Sequence, residues 1–153
     1  MDIHFYYSTF DQLTTRELYE MLALRQQVFV VEQDCPYLDA DGKDYKCLHV
    51  LGKDSEAQII AHTRIVPPGI SYDQYSSIGR VVISEKMRGS GIGKALMHYS
   101  MQLTYEKYPL IPIKISAQVY LTKFYENLGF VVDGEAYLED DIPHIGMVCA
   151  TKI

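Results

Sequence analysis

Residues 81–97 read Val81-Val82-Ile83-Ser84-Glu85-Lys86-Met87-Arg88-Gly89-Ser90-Gly91-Ile92-Gly93-Lys94-Ala95-Leu96-Met97. The order is a β-branched strand, a short polar turn, a glycine-rich loop and an amphipathic helix. The glycines let successive N–H groups point at one spot, and the helix adds its unpaired N–H groups and the positive end of its dipole. The stretch therefore predicts a phosphate or pyrophosphate site, with Arg88 as an added charge. The alternative is a glycine-rich turn without a ligand.

Two common phosphate motifs do not match this loop. A P-loop needs Gly-x-x-x-x-Gly-Lys followed by Ser or Thr. Here Arg88 stands at the first glycine position and Ala95 at the hydroxyl position, so the Mg²⁺ ligand is missing. The dinucleotide pattern Gly-x-Gly-x-x-Gly would need glycine at Lys94. Both interpretations are rejected.

The composition predicts an ordinary folded protein. A chain of 153 residues is long enough for one core, so we expect a single domain over residues 1–153. Hydrophobic residues make up 48% and charged residues 22%, which is typical of globular proteins. The net charge of −6 and the lack of a basic run argue against binding to nucleic acid or to an anionic membrane. They mildly favour cationic or amine-bearing partners.

Targeting and cysteine signals point to the cytoplasm. No segment approaches the roughly 18–20 apolar residues of a membrane helix, and the start Met1-Asp2-Ile3-His4 lacks the regions of a signal peptide. Cys35, Cys47 and Cys149 are odd in number and show no C-x-x-C spacing, so neither a disulfide framework nor a zinc site is indicated. The histidines show no metal-ligand spacing either. We expect a soluble cytoplasmic protein without a metal.

The order of predicted elements is β, α, two or three β, then βαβαββ. This order predicts an α/β fold: a mixed sheet with a parallel βαβ-like centre, antiparallel strands beside it and flanking helices. Thr14 and Glu17 match a capping box at the start of the first helix, and Arg25 is expected to snorkel at the edge of its apolar stripe. The acidic stretch over residues 39–44 does not match a calcium loop and is expected to be solvated, facing either solvent or a substrate.

A second informative stretch is Phe124-Tyr125-Glu126-Asn127-Leu128-Gly129-Phe130. Its aromatic and apolar residues recur at helical spacing, and Gly129 is a natural helix end. Arg88, Gly91 and Gly93 also match the pattern Arg/Gln-x-x-Gly-x-Gly/Ala. With both motifs the chain resembles the GNAT superfamily of N-acetyltransferases, whose fold has a central mixed sheet flanked by helices.

The resemblance implies acetyl-coenzyme A as co-substrate and roles for the following residues. It implies that Arg88, Gly89, Ser90, Gly91, Ile92, Gly93 and Lys94 hold the pyrophosphate and that Val81, Val82 and Ile83 pair with the pantetheine arm. A backbone N–H of that strand would polarise the thioester carbonyl. Tyr125 would protonate the departing thiolate, although the residue could instead only pack its helix. Gln118 stands where many members carry asparagine, and its cofactor contact follows from that match alone.

A closer resemblance covers nearly the whole chain. The segments 24–33, 39–41, 78–81 and 139–147 are similar to the ElaA-type branch of this superfamily. The branch sharpens the expected fold but implies no acceptor.

Direct transfer to an amine also needs a base, because a free alkylamine has a pKa near ~10.4. Glu32 and His144 are the candidates, acting directly or through water, and each could instead be a surface or loop residue. Asp140 or Asp141 could attract the ammonium group.

The sequence thus predicts an N-acetyltransferase that moves an acetyl group directly to a primary amine of a small molecule or peptide, without a covalent intermediate. One alternative is a non-catalytic coenzyme A-binding or sensing module. Another is an acyl-transferring signal-molecule synthase, because the Arg-x-x-Val-Phe piece is similar to acyl-homoserine lactone synthases. An edge strand could pair two copies into a homodimer.

Overall fold

The computed structural model describes residues 2–151. Eight strands occur in this range: β1 His4–Thr9, β2 Leu48–Lys53, β3 Ile59–Val66, β4 Ser77–Ile83, β5 Ile113–Gln118, β6 Val131–Val132, β7 Tyr137–Glu139 and β8 Ile142–Cys149. The α-helices are α1 Thr15–Arg25, α2 Ile92–Lys107 and α3 Thr122–Glu126. A π-helical turn, Gln26–Glu32, continues α1, and a 3₁₀ turn, Val119–Leu121, precedes α3. Among residues 2–151, none of the helices combines the length and the apolar composition that a membrane span needs.

The strands form two four-stranded sheets. In the first sheet β1, β2, β3 and β4 lie in that order, each antiparallel to the next. The central strand β3 is buried along its whole length. In the second sheet β8 pairs with β5 on one side and with β6 and β7 on the other, again antiparallel.

The two sheets meet at a single parallel bridge between Ser76 and Ile113. The Ser76 N–H donates to the Pro112 carbonyl at 3.2 Å, and the Lys114 N–H donates to the Ser76 carbonyl at 2.9 Å. Beyond this bridge β4 and β5 make no further pairing within residues 2–151, and a cleft lies between them. The predicted mixed α/β fold is confirmed, and its parallel centre is reduced to this one bridge.

The helices cover the sheets through apolar faces. The Leu96, Met97 and Leu103 side chains of α2 are buried against the main core, which draws on both sheets. Helix α1 buries Met21 against Leu51 and Ile59 on the opposite face of the first sheet. The predicted capping box is present at the start of α1, where Thr14 and Glu17 each accept the other's backbone N–H.

Arg25 corrects one prediction. The side chain does not snorkel but is fully buried, and its Nε lies 2.7 Å from the Asp39 carboxylate while Nη1 lies 2.8 Å from that of Asp44. Arg64 and Arg80 bind the same acidic loop, Arg64 through Asp41 and Asp44 and Arg80 through Asp39 and Asp41. Asp39 and Asp44 are therefore buried ion-pair partners and not solvated residues, because three arginines compensate the three carboxylates.

Candidate active site

The cleft between β4 and β5 has a volume of about 1060 Å³. Its walls are the diverging ends of these strands, and the glycine-rich loop, the π-helical turn and α3 also contribute. The end of β7 contributes Glu139, and the β7–β8 turn contributes Asp140. The predicted catalytic and cofactor-binding residues all line this cleft except Ser90 and Ile92, which belong to the loop at its edge. Of the two aspartates considered for the acceptor, only Asp140 lines it.

The three glycines of the loop are needed for different structural reasons. Gly89 and Gly91 have φ of +82° and +81°, which other residues adopt only with strain, and Gly91 is the N-cap of α2. Gly93 has an ordinary φ, but a Cβ there would lie 3.2 Å from the Ile83 Cδ1 atom. Within the described chain the Gly89, Ser90 and Gly91 N–H groups donate no hydrogen bond. The loop thus presents free donors beside a helix N-terminus, the arrangement that binds anions.

Three other residues of the loop have distinct environments. The Ser90 hydroxyl donates to the Met87 carbonyl at 2.8 Å and so closes the turn. The Ile92 side chain is buried in the core, which leaves only its backbone for binding. Lys94 is exposed in the first turn of α2 and lines the cleft, where its charge would favour an anion.

Arg88 and Glu32 form one ion pair across the cleft edge. Arg88 Nη1 lies 2.8 Å from Glu32 Oε1, while Nε and Nη2 donate to the Ile83 carbonyl at 3.2 and 3.1 Å. The guanidinium thereby joins the end of β4 to the end of the π-helical turn. The sequence analysis assigns Arg88 to the cofactor and Glu32 to proton transfer, and no local pattern could have paired them because they lie 56 positions apart.

Strand β4 contains a bulge where it faces the cleft. On either side of the bulge, Arg64 pairs with Gly79 and His62 pairs with Val82. Arg80 and Val81 on β4 therefore both lie opposite Thr63 on β3. Arg80 has a left-handed φ of +51°. Sequence reasoning missed this bulge because arginine is not a residue that signals a left-handed position.

The bulge changes which peptide groups of β4 face the cleft. Ser84 donates to Ile60 on β3, and Ser76 donates to Pro112 beside β5. Successive residues of a strand direct their N–H and C=O groups to opposite sides. Before the bulge, the even-numbered residues of β4 therefore direct their peptide groups away from β3. After the bulge, the odd-numbered residues Val81 and Ile83 do so, and their peptide groups face the cleft.

Tyr125 is held by α3 with its ring packed in the core. The ring makes edge-to-face contacts with Phe124 and Phe130, at centroid distances of 5.1 and 5.9 Å, and the residue is only 6% exposed. Burial, with a smaller contribution from Tyr120, raises the pKa of Tyr125 to about 12. Among residues 2–151 no group hydrogen-bonds to its hydroxyl, and the residue lines the cleft. A protonated, unpartnered donor thus lies at the cleft wall.

Gln118 and His144 are cross-strand partners at the end of β5, and both line the cleft. His144 Nδ1 lies 2.7 Å from the Ile142 carbonyl, which can only accept, so Nδ1 carries a proton and Nε2 has the lone pair of the neutral ring. Nε2 lies 3.5 Å from the Glu139 carboxylate. The histidine is oriented and has an acidic neighbour, as a base that becomes positively charged requires.

The β7–β8 turn places one of its two aspartates in the cleft. Asp140 lines the cleft and Asp141 does not, and both have positive φ, +51° and +61°. The Cys35 thiol donates to the Asp140 carbonyl at 3.3 Å, which ties this turn to the segment after the π-helical turn. Burial and the nearby aspartates raise the pKa of the Cys35 thiol, so it stays protonated near neutral pH.

Comparisons with known proteins show the family and the fold. A family model described as an acetyltransferase (GNAT) domain matches residues 45–151. The ElaA protein of Escherichia coli is 40% identical over 138 residues, 89% of each chain. Its crystal structure matches with a TM-score of 0.90 at 37% identity, over 97% of this chain and 99% of ElaA.

Two further crystal structures share the fold. An acyl-CoA N-acyltransferase from Pseudomonas aeruginosa matches with a TM-score of 0.92 and 40% identity, over 97% of this chain and all of that chain. An aminoglycoside 6'-N-acetyltransferase in complex with coenzyme A has a TM-score of 0.70 at 16% identity, over 95% and 96% of the two chains. The chain belongs to the GNAT family of acyltransferases, in its ElaA-like branch.

Proposed function

We propose that the protein transfers an acetyl group from acetyl-coenzyme A directly to a primary amine, with Tyr125 as general acid. The observation that carries the proposal is the buried Tyr125 hydroxyl, which has no hydrogen-bond partner among residues 2–151 and lies in the same cleft as the glycine-rich loop with its unused N–H groups in that range. A module that only bound coenzyme A would need the loop and not the hydroxyl.

The loop would bind the pyrophosphate of the donor. Gly89 to Gly91 offer three N–H groups that the described part of the chain leaves unused, the first turn of α2 adds more, and Lys94 adds a charge. The pantetheine arm would lie along Val81 to Ile83, whose peptide groups include two that face the cleft. The Gln118 amide on the opposite wall would bind the same arm.

The chemical step requires two proton movements. The amine nitrogen forms a bond to the thioester carbon, the C–S bond breaks, and the ammonium form of the acceptor loses one proton before attack and one afterwards. The Val81 N–H would stabilise the developing oxyanion, and the Tyr125 hydroxyl would donate to the departing sulfur. A thiol has an ordinary pKa near ~8.5, so complete transfer from a phenol of pKa about 12 is uphill. The proton that the acceptor nitrogen loses after attack would therefore replace the proton that Tyr125 donates to the sulfur.

His144 and Glu32 remain the two proposed bases. The Nδ1 of His144 is held by a backbone carbonyl, which leaves Nε2 to accept a proton beside the Glu139 carboxylate, whereas the Glu32 carboxylate is already in an ion pair with Arg88. We therefore favour His144, with Glu139 stabilising its positive form. Asp140 would attract the ammonium group of the acceptor from the β7–β8 turn.

We also propose the domain organisation, the class of acceptor, the location, the metal requirement and the oligomeric state. Residues 1–153 would act as one domain, because the cleft draws on residues from Val28 to His144. The acceptor would be a small molecule or a peptide, not a nucleic acid or a membrane, as the net charge of −6 favours. A cytoplasmic location, the absence of a required metal and a homodimer are further parts of the proposal.

Acetyl-coenzyme A turnover against amines, polyamines, amino acids and peptides tests the proposal. We expect thiol release with at least one acceptor, and a fall in kcat of about 10²-fold or more in Tyr125→Phe. Tyr19→Phe is the matched control, since Tyr19 is 76% exposed on α1. Tight donor binding without turnover on any amine would favour the sensing module, and turnover restricted to longer acyl donors would favour the signal-molecule synthase.

The base assignment has its own test. We expect His144→Ala to remove the limb of the pH–rate profile that reports the base, and Glu32→Gln to leave that limb in place. Unchanged profiles in both variants would eliminate both residues.

A further inference from the structure

Arg80 has a conformation that its residue type does not favour. Its φ of +51° lies in the left-handed region, where a side chain with a Cβ is strained. The strain falls at the bulge, between the two registers of β4. Without the bulge Val81 would direct its peptide groups at β3 instead of into the cleft.

The side chain of Arg80 is held by Asp39. Arg80 Nε lies 2.8 Å from Asp39 Oδ1, and Nη2 donates to the Asp39 carbonyl at 2.9 Å. The guanidinium carbon also lies 5.9 Å from the centroid of the Tyr37 ring. Two hydrogen bonds to one residue fix both the direction and the distance of the arginine, so the side chain can keep its backbone in the strained conformation.

Asp39 is in turn fixed from its other side. Arg25, which is fully buried, places Nε 2.7 Å from Asp39 Oδ2, and its Nη2 donates to the Asp39 carbonyl. Asp39 is itself only 6% exposed. The anchor of the bulge is therefore part of the protein interior and does not depend on a mobile surface side chain.

From these contacts we propose that Asp39 and Arg80 are positioning residues. Their ion pair holds the left-handed conformation of Arg80, and this conformation turns the Val81 N–H into the cleft toward the thioester carbonyl. The inference rests on the proposed function, because it assigns the Val81 N–H to that carbonyl.

Substitutions at Arg80 separate backbone conformation from charge. Gly and Asn adopt a left-handed φ readily. Ala populates this conformation about 5- to 30-fold less, and Val populates it less still. All four remove the guanidinium, and Asp39 keeps Arg25 as a partner in each. We expect Arg80→Gly and Arg80→Asn to keep at least five times the kcat of Arg80→Ala, and Arg80→Val to be the slowest.

The result that overturns the inference is an equal loss in all four variants with a higher KM for the acceptor. Arg80 lines the cleft, and that pattern would mean that its charge contacts the acceptor directly. Thermal unfolding of each variant shows whether a loss of activity reflects a loss of fold.

Binding measurements give a second readout without turnover. Only acetyl-coenzyme A carries the thioester carbonyl, so we expect Arg80→Ala and Arg80→Val to weaken its binding about 5-fold or more relative to coenzyme A. The Gly and Asn variants should keep the wild-type ratio of the two affinities. The same ratio in all four variants would overturn this inference alone, whereas failure of the wild-type protein to bind either compound would overturn the proposed function.

Discussion

Replacing Arg25 by methionine tests how the acidic loop is held. The methionine fills a similar length of the buried site but removes ion pairs to Asp39 and Asp44. Breaking a buried ion pair by removing one partner costs about 3–5 kcal/mol, because the remaining charge stays buried. Here Asp39 keeps Arg80 and Asp44 keeps Arg64, so we expect the lower end of that range, about 3 kcal/mol.

That loss is large compared with the total stability of a domain, about 5–15 kcal/mol. For a chain of this size it corresponds to a fall in Tm of roughly 6–12 °C. Urea unfolding followed by circular dichroism measures the free energy directly. Arg16→Met is the matched control, because Arg16 is exposed on the same helix and its substitution changes the net charge equally.

An Arg25→Met variant whose free energy of unfolding fell by less than about 1 kcal/mol would contradict this prediction. The buried arginine would then add no more than an exposed ion pair does. Such a result would also weaken the inference about Arg80, since Asp39 would not need its inner partner.

Three further predictions concern the cleft and the core. Glu32→Gln should tighten coenzyme A binding about 1.5- to 5-fold at low salt, because Arg88 no longer has a competing carboxylate. Calorimetry measures the affinity, and weaker binding would contradict this prediction. Gly91→Ala should weaken coenzyme A binding at least fivefold, whereas Gly69→Ala, at a comparable positive φ of +91° outside the cleft, should not; equal effects would contradict a role for the loop. Burial lowers the pKa of both His49 and His62, so at acidic pH the unfolded chain takes up protons that the folded chain does not. The free energy of unfolding should therefore fall as pH drops below ~6.5, by up to about 1.4 kcal/mol per pH unit for each histidine. His62→Asn should flatten this dependence in urea unfolding between pH 6.5 and 5, and the exposed His98→Asn should leave it unchanged.

Local patterns in the sequence predicted local structure well. The capping box of Thr14 and Glu17 is present, and an α-helix follows the glycine-rich loop. The sequence predicts that Gly129 ends its helix; α3 already ends at Glu126, and Gly129 lies three residues further on with a φ of +103°. These features depend on residues a few positions apart, so spacing alone carries the information. The resemblance to one family then supplied the overall fold, which the comparisons confirm.

Features that depend on distant residues were not predictable in this way. The burial of Arg25 requires Asp39 and Asp44, which lie 14 and 19 positions away and looked like a solvated loop. The bulge at Arg80 depends on the same loop and carries none of the glycine that usually marks a left-handed residue. In both cases tertiary ion pairs outweigh the local preference of the residue.

The single bridge between Ser76 and Ile113 has a mechanical consequence. Within the described chain the two sheets share one edge contact, although both contribute to the main core. We therefore expect β4 and β5 to separate more easily at the cleft than beside the bridge, where backbone hydrogen bonds join them. A donor lying between β4 and β5 would act as a missing strand and limit this opening. Amide exchange at the cleft ends of both strands would then slow together on donor binding, while exchange beside the bridge would change little.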